Sequence, residues 1–270
     1  MAIALQYESQ REHAGTARWV SATDGDTPQI LMTIRLVGID APEIHYPGTQ
    51  KPSAFDSALE HLLQTHRRAF KTKEFREYLA PKLADRAGTR QLLWGERARN
   101  ALAELADRIL RRRAGGQTRY RNLVLTVGQQ MFDQYRRLLA YVAPEEPNPH
   151  KRQTLNLVLM QEGWAVNYII YPNLPKPDDW GRIQQAVRQA RQQQKGFWKD
   201  ETLLLGYEYR FCVDTVLGKR TGPDKYCVDV TTGALHAPHE YYLIAPENRL
   251  FILKEHLRDA KRTLQGLRAR

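Results

Sequence analysis

The sequence predicts a mixed α+β fold whose centre is mainly β: a small five-stranded OB barrel with attached helices, a long helical segment and a small β-rich C-terminal extension. Three observations carry this expectation. From Thr16 to Trp198 the candidate elements run strand, strand, helix, strand, strand, helix, helix, an order that suits a Greek-key barrel with helices packed on it. The run Ile30–Ile39 (ILMTIRLVGI) has the β-branched content of a buried strand. Beyond Trp198 the texture changes to short alternating stretches, which puts a boundary near Asp200 and divides the chain into 1–200 and 201–270.

Each element has its own signal. The first strand, Thr16–Thr23, ends in the turn residues Asp24-Gly25-Asp26, and the second, Ile30–Ile39, stops at Asp40-Ala41-Pro42-Glu43. Lys51–Arg113 reads as helical. Ser53 and Asp56 have the spacing of a capping box, and Phe55, Leu59, Leu62, His66 and Phe70 step at helical intervals. Trp94, Ala98, Leu102, Leu105 and Ile109 do the same in a second helix, which is expected to end near Gly115-Gly116. Strand character returns at Tyr120–Val127 and Arg137–Val142, joined by the loop Gly128–Gln134 and followed by a Pro-rich loop, Pro144–Pro149. Thr154–Gly163 is a short helix. Asp178–Lys195 is a longer one, with Trp180, Ile183, Val187 and Ala190 inward and Gly196 as its stop. In the extension Tyr207–Val216, Lys225–Thr231, Glu240–Ala245 and Leu250–Leu253 alternate like strands, and Lys254–Arg270 closes as a basic helix.

Composition narrows the function. The 270 residues carry 41 Lys+Arg against 30 Asp+Glu, a net charge of +11, and 29 of the basic residues are arginine. The planar guanidinium fork suits bidentate phosphate contacts, so the surplus points first to nucleic acid or another polyanion as partner. No apolar run approaches the ~18–20 residues of a membrane span, and no basic flank followed by an apolar stretch opens the chain. With only Cys212 and Cys227, a reducing cytoplasm is the expected setting, without a membrane partner. The spacing of those cysteines with His236 and His239 is wrong for a zinc knuckle. If Gly218–Asp224 is a hairpin turn, both cysteines pack on adjacent strands of a core.

The chemistry concentrates in a short cluster. Asp24 and Asp26 flank a glycine at one strand end, and Asp40 and Glu43 flank Ala41-Pro42 at another, so carboxylates from two strand ends can converge. Oxygen ligands without Cys or His suit a hard cation such as Ca²⁺ or Mg²⁺; equally, Asp-Gly-Asp is turn chemistry and Asp40 and Pro42 terminate a strand. Arg35, within an apolar strand, needs an anion, either one of these carboxylates or a phosphate.

At this point the residues carry a resemblance. Asp24-Gly25-Asp26-Thr27 followed by Arg35-Leu36-Val37-Gly38-Ile39-Asp40-Ala41-Pro42-Glu43 is similar to the signature of the staphylococcal nuclease (thermonuclease) family. Three later matches keep the family's order: Gly95-Glu96-Arg97-Ala98, then Asp133–Val142 (DQYRRLLAYV), then Asn156-Leu157-Val158 with Glu162-Gly163-Trp164-Ala165 and Gly196-Phe197-Trp198. The resemblance implies a Ca²⁺-dependent nuclease of DNA or RNA that cuts the 5′-O–P bond and leaves 3′-phosphates. It implies Asp26 and Asp40 as direct Ca²⁺ ligands with the Ala41 carbonyl, and Asp24 beside the metal. Glu43 would be the general base, and Arg35 and Arg137 the phosphate clamp. Tyr135 matches a phosphate-contacting position, and Tyr168 and Tyr171 lie near base-stacking tyrosines.

Three features depart from the family pattern. Thr27–Ile34, the stretch between Asp26 and Arg35, is shorter than the family's usual hairpin. Arg136 stands where a glycine is usual, and residues 51–93 form a helical insertion far longer than the family's loop. Lys51–Arg113 holds 15 Lys+Arg against 8 Asp+Glu, most of the chain's surplus. Arg67, Arg68 and Lys71, with the run Arg111-Arg112-Arg113, are candidate contacts to flanking phosphates. The rival readings are a non-catalytic nucleic-acid-binding module on the same barrel and a protein-interaction module carried by the extension.

Overall fold

β1 (Ala17–Ala22) and β2 (Pro28–Met32) form an antiparallel hairpin that turns through Asp24-Gly25-Asp26, closed by a hydrogen bond from the Thr23 N–H to the Thr27 carbonyl. The computed structural model describes residues 17–128, 131–133, 135–148, 152–264 and 268–269, without the side chains of Arg113, Ala114, Arg268 and Ala269. Within these, the apolar run 30–39 is not one buried strand. β2 is mostly exposed, β3 (Ile34–Leu36) is half-buried, and only β4 (Ile39–Asp40) is buried. The break falls at Gly38, whose φ of +73° turns the chain between β3 and β4. Trp19, Val20, Ile30 and Leu31 of the hairpin are more than half exposed.

The helical segment follows as a 3₁₀ turn at Pro52–Phe55, α1 (Asp56–Glu60), α2 (Leu62–Thr65), a second 3₁₀ turn, α3 (Lys73–Leu83) and α4 (Ala87–Leu110). Thr72 caps α3 by accepting from the Phe75 N–H at 3.2 Å. The capping box expected of Ser53 and Asp56 does not form. Asp56 instead accepts from the Thr89 N–H and hydroxyl at 2.8 and 2.5 Å, tying the short helices to α4. Phe55, Leu59, Leu62, Phe70, Phe75 and Leu79 are all buried, so this insertion is part of the main core.

α4 ends at Leu110, before the expected glycine stop. β5 (Arg111–Ala114) and β6 (Gln117–Tyr120) form a hairpin, and Gly115-Gly116, both at positive φ, make its two-residue turn. β7 (Leu123–Thr126) then pairs antiparallel with β8 (Leu138–Pro144), which pairs parallel with β3. α5 (Leu155–Gln161), capped by Thr154, leads to β9 (Val166–Asn167), which pairs with β4, then to β10 (Ile169–Ile170) and α6 (Pro177–Gln192). These described pairings give small separate sheets and close no five-stranded barrel. The mixed α+β character is as expected.

The extension corrects the sequence reading in two places. Tyr207–Val216 is a helix, α7 (Gly206–Val216), and not a strand. It is buried on nearly every side, so its aromatic alternation carries no amphipathic period. Glu240–Ala245 contributes to a 3₁₀ helix, Pro238–Leu243, stopped by the Pro-flanked turn after it. β11 (Tyr226–Asp229), β12 (Ala234–His236), β13 (Arg249–Ile252), α8 (Leu257–Thr263) and β14 (Arg268–Ala269) complete the chain. Residues 265–267 and 270 of the expected basic helix lie outside the described set, as do Thr16, Gln134 and Pro149. Cys212 therefore sits on α7 and Cys227 on β11. Both are buried free thiols.

The extension's sheet has the order β10-β13-β11-β12-β14, so its edge strand β10 comes from the preceding 200 residues. No helix among the described residues is long and apolar enough to cross a membrane.

Candidate active site

The parallel register of β3 with β8 sets the first half of the site. Arg35 lies opposite Leu139 and Ile34 opposite Leu138, which places Arg137 one residue before the paired segment, on the strand beside Arg35. Asn156 of α5 locks this junction, donating to the Val37 carbonyl at 2.9 Å and accepting from the Val142 N–H at 3.1 Å. Arg137 is itself held by Asp133. One carboxylate oxygen accepts from the Tyr135 and Arg137 N–H groups at 2.9 Å each. The other takes Arg137 Nε at 2.8 Å and Nη2 at 2.7 Å. Arg136, the substitute for the family's glycine, has φ +60°, the left-handed conformation that a glycine adopts without strain.

The second half is the loop Asp40–Glu43, gripped between two helices. A Cβ on Gly95 of α4 would meet the carbonyl oxygens of Glu43 and Pro42 at 2.8 and 2.9 Å. A Cβ on Gly206, at the start of α7, would meet the Ala41 carbonyl oxygen and Asp40 Oδ2 at 2.5 Å each. Glycine at both positions lets the helices touch the loop backbone. The buried Gln91 amide bridges from the other side, accepting from the Glu43 N–H and donating to the Leu204 carbonyl at 2.9 Å each.

Asp40, whose side chain is 0% exposed, accepts three charge-assisted hydrogen bonds. Arg35 Nη2 reaches Oδ1 at 3.2 Å. Arg210 of α7 takes both oxygens, Nη1 to Oδ1 at 2.9 Å and Nη2 to Oδ2 at 3.0 Å. Arg210 Nη1 also donates to Glu43 Oε1, leaving Oε2 without a partner among the described residues. Burial pushes the Glu43 carboxyl above its ordinary value; Arg210 draws it back and Asp40 pushes it up again, for a net upward shift.

These groups open on a cleft of about 950 Å³ between the two parts of the chain. Arg35, Glu43, Arg137, Tyr135, Tyr168 and Tyr171 all line it, so six of the expected site residues share one space. Tyr135 is exposed. Tyr168 is not open on both faces, because Tyr207 of α7 stacks on it at 5.0 Å between ring centres and Phe251 of β13 packs at the same distance. The Tyr171 hydroxyl is committed to Asp259 and Thr263 of α8.

Other expected residues stay apart. Asp24 and Asp26 sit on the exposed β1–β2 turn, where Asp26 accepts from Thr27 and donates its N–H to Asp24, and neither lines the cleft. Among the described residues no group of three or more His, Cys, Asp or Glu side chains could hold a metal ion. With three of roughly four lone-pair positions on Asp40 taken by guanidinium N–H groups, the residues present do not fit a resident cation. Arg67, Arg68 and Lys71 are exposed on the insertion, and Arg111 and Arg112 on β5. None of them lines the cleft, and the side chain of Arg113 is not described.

Sequence reasoning missed Arg210, Tyr207 and Asp133. Asp133 carried a signal, since a carboxylate four residues before an arginine at a turn is a natural positioning partner. Arg210 carried none, because it lies 170 residues from Asp40.

Residues 33–200 match the family described as Staphylococcal nuclease homologue. The chain is also similar to Endonuclease YhcR of Bacillus subtilis (strain 168), 30% identical over 129 residues. That alignment takes in 48% of this chain and 10% of the relative, so the chain corresponds to a small part of that protein's length. The family match spans more than half of the chain and contains Arg35, Glu43 and Arg137, the three groups that meet in the cleft; the chain belongs to the staphylococcal nuclease homologue family.

Proposed function

We propose that the protein is a nuclease that hydrolyses phosphodiester bonds of DNA or RNA in the cleft between β3, β8 and α7. The observation that supports this best is that one carboxylate, Glu43, and two arginines, Arg35 and Arg137, line the same cleft of about 950 Å³. Phosphodiester attack puts negative charge on the equatorial oxygens, and preorganised guanidinium groups aimed at that charge supply much of the catalysis. Glu43 acts as the general base. Its Oε2 takes a proton from water as the water oxygen bonds to phosphorus. The P–O5′ bond then breaks, the departing 5′ oxygen takes a proton from solvent, and a 3′-phosphate remains.

Tyr135, exposed beside Arg137, is placed to meet a phosphate or ribose. The described carboxylates do not assemble around the Ca²⁺ that the family resemblance implies. Digestion of end-labelled single-stranded DNA, duplex DNA and RNA, with end-group analysis of the products, tests the reading. Wild-type cleavage to 3′-phosphates is expected, with Glu43→Ala, Arg35→Ala and Arg137→Ala each slower by roughly 10²–10³. Retention of nucleic acid without cleavage would favour the binding-module alternative, which the covered face of Tyr168 and the paired Glu43 make a real competitor.

A further inference from the structure

We propose that Arg210 is the resident cation of this active site, a guanidinium supplied by the C-terminal extension that holds Asp40, the carboxylate the family resemblance assigns to Ca²⁺, and makes the hydrolysis metal-independent. This rests on the phosphodiesterase reading above.

Asp40 and Glu43 bring two negative charges to the loop, and Arg35 and Arg210 bring two positive charges in direct contact with them. The pair is already balanced, and Asp26, the carboxylate that would raise the negative count, stays on the exposed hairpin turn. A divalent cation has no unbalanced charge to neutralise here.

The bidentate fork on Asp40, with one nitrogen shared to Glu43, fixes a positive group between the buried carboxylate and the general base. From there its field acts on the water and on the phosphoryl oxygens entering the same cleft, which Arg210 also lines. Tyr168 covers the guanidinium face at 5.6 Å, adding a cation–π contact.

A latch would have to swing away before substrate and metal enter, whereas a built-in cation stays. α7 is not mounted as a lid. Its Glu208, fully buried, accepts from Lys82 Nζ at 3.1 Å, from the Tyr78 hydroxyl at 2.6 Å, from the Tyr241 hydroxyl at 3.0 Å and from the Leu205 N–H at 2.9 Å. Phe211, on the same helix, packs against Phe75 and Tyr241, and Gly206 presses on the Ala41 carbonyl. Releasing Arg210 by moving α7 would open this network and strand buried charges.

The test uses the full chain. Turnover of labelled single-stranded DNA is measured in EDTA and in Ca²⁺, for wild type, Arg210→Ala and Arg210→Lys, and CaCl₂ alone is titrated into wild type and Arg210→Ala by calorimetry. Wild type is expected to turn over within about twofold in the two buffers. Arg210→Ala should lose roughly 10²–10³ in kcat, the scale of one key electrostatic donor, with KM little changed and part of the rate recovered in Arg210→Lys. Calorimetry should show no Ca²⁺ binding to wild type at millimolar concentration, a readout that needs neither a variant nor turnover. Three results would each overturn the proposal: wild-type cleavage that requires Ca²⁺, wild-type Ca²⁺ binding below the millimolar range, or an Arg210→Ala enzyme faster than wild type with Ca²⁺, the signature of a latch. If wild type cleaves no nucleic acid in either buffer, the phosphodiesterase reading fails and takes the catalytic role of Arg210 with it. Ca²⁺ binding gained only in Arg210→Ala would then still show that the guanidinium excludes the metal.

Discussion

The guanidinium of Arg210 holds both carboxylate oxygens of Asp40, at 2.9 and 3.0 Å, although the two residues stand 170 positions apart. Their contact joins the extension to the loop that carries Glu43. Asp40 is fully buried, so removing Arg210 leaves a carboxylate with Arg35 as its remaining charge partner and Glu43 with none in direct contact. Arg210→Ala is expected to lower stability in urea by about 3–5 kcal/mol, the usual cost of breaking a buried ion pair from one side. Replacing both Arg210 and Asp40 with uncharged residues should cost less than the sum of the single changes. Additive losses would show that the two groups do not act as a pair.

Asp133 is a positioning residue for Arg137. Its carboxylate receives Nε and Nη2 of the guanidinium and also the Arg137 N–H, so it fixes both the side chain and the turn beneath it. Asp133→Ala is expected to cut kcat by about tenfold to a hundredfold with little change in KM, because the arginine then samples orientations that miss the transition-state oxygens. In an Arg137→Ala background the same change should have almost no further effect on kcat. Asp133→Asn, which keeps an acceptor for the backbone N–H groups, should recover part of the loss. Equal losses from Asp133→Ala in both backgrounds would mean that it supports the fold and not the arginine.

How far the sequence reached depended on distance along the chain and on burial. Arg35, Glu43 and Arg137 were legible because each sits in a short motif, and the strand pairing of β3 with β8 brings those motifs to one cleft. The insertion was legible as helical, since Phe55, Leu59, Leu62 and Phe70 recur at helical intervals and are all buried. α7 was not, because a helix buried all round has no polar face to reveal its period, and its Tyr207, Tyr209, Phe211 and Val213 alternate like a strand. The hairpin failed for the opposite reason. Ile30 and Leu31 have strand composition, yet composition does not say that the strand lies outside the core. Asp26 consequently never meets Asp40, a tertiary fact that no local spacing contains.

The cysteines give a prediction that depends on α7 being a helix inside the core. Burial drives the Cys212 thiol well above its ordinary value and pushes Cys227 up to about 12. The thiolate is the reactive form, so neither side chain is ionised at pH 8 in the folded protein. A thiol-specific chromogenic reagent at that pH should find both cysteines unreactive over minutes, and both reactive once urea has unfolded the chain. Rapid labelling of either one without denaturant would show that α7 or β11 opens to solvent.

Much of the insertion's positive charge, Arg67, Arg68 and Lys71 among it, sits on exposed side chains of a segment whose apolar residues are core. Excising 51–87 would remove Phe55, Leu59, Leu62, Phe70, Phe75 and Leu79, so a deletion would test folding and not binding. Charge neutralisation separates the two. Arg67, Arg68 and Lys71 are exposed and outside the cleft, and Arg67→Gln, Arg68→Gln and Lys71→Gln keep stem length while removing charge. If these residues follow the substrate backbone beyond the cleft, each phosphate contact releases counterions and contributes about 0.7–0.9 to the slope of log K against log salt. The triple variant should therefore show a slope shallower by roughly 2, with weaker binding at low salt and kcat at saturating substrate unchanged. The measurement is fluorescence anisotropy of a labelled single strand on a cleavage-inactive Glu43→Ala background across a salt series. An unchanged slope would assign this charge to a solvated face and leave the cleft arginines as the source of affinity.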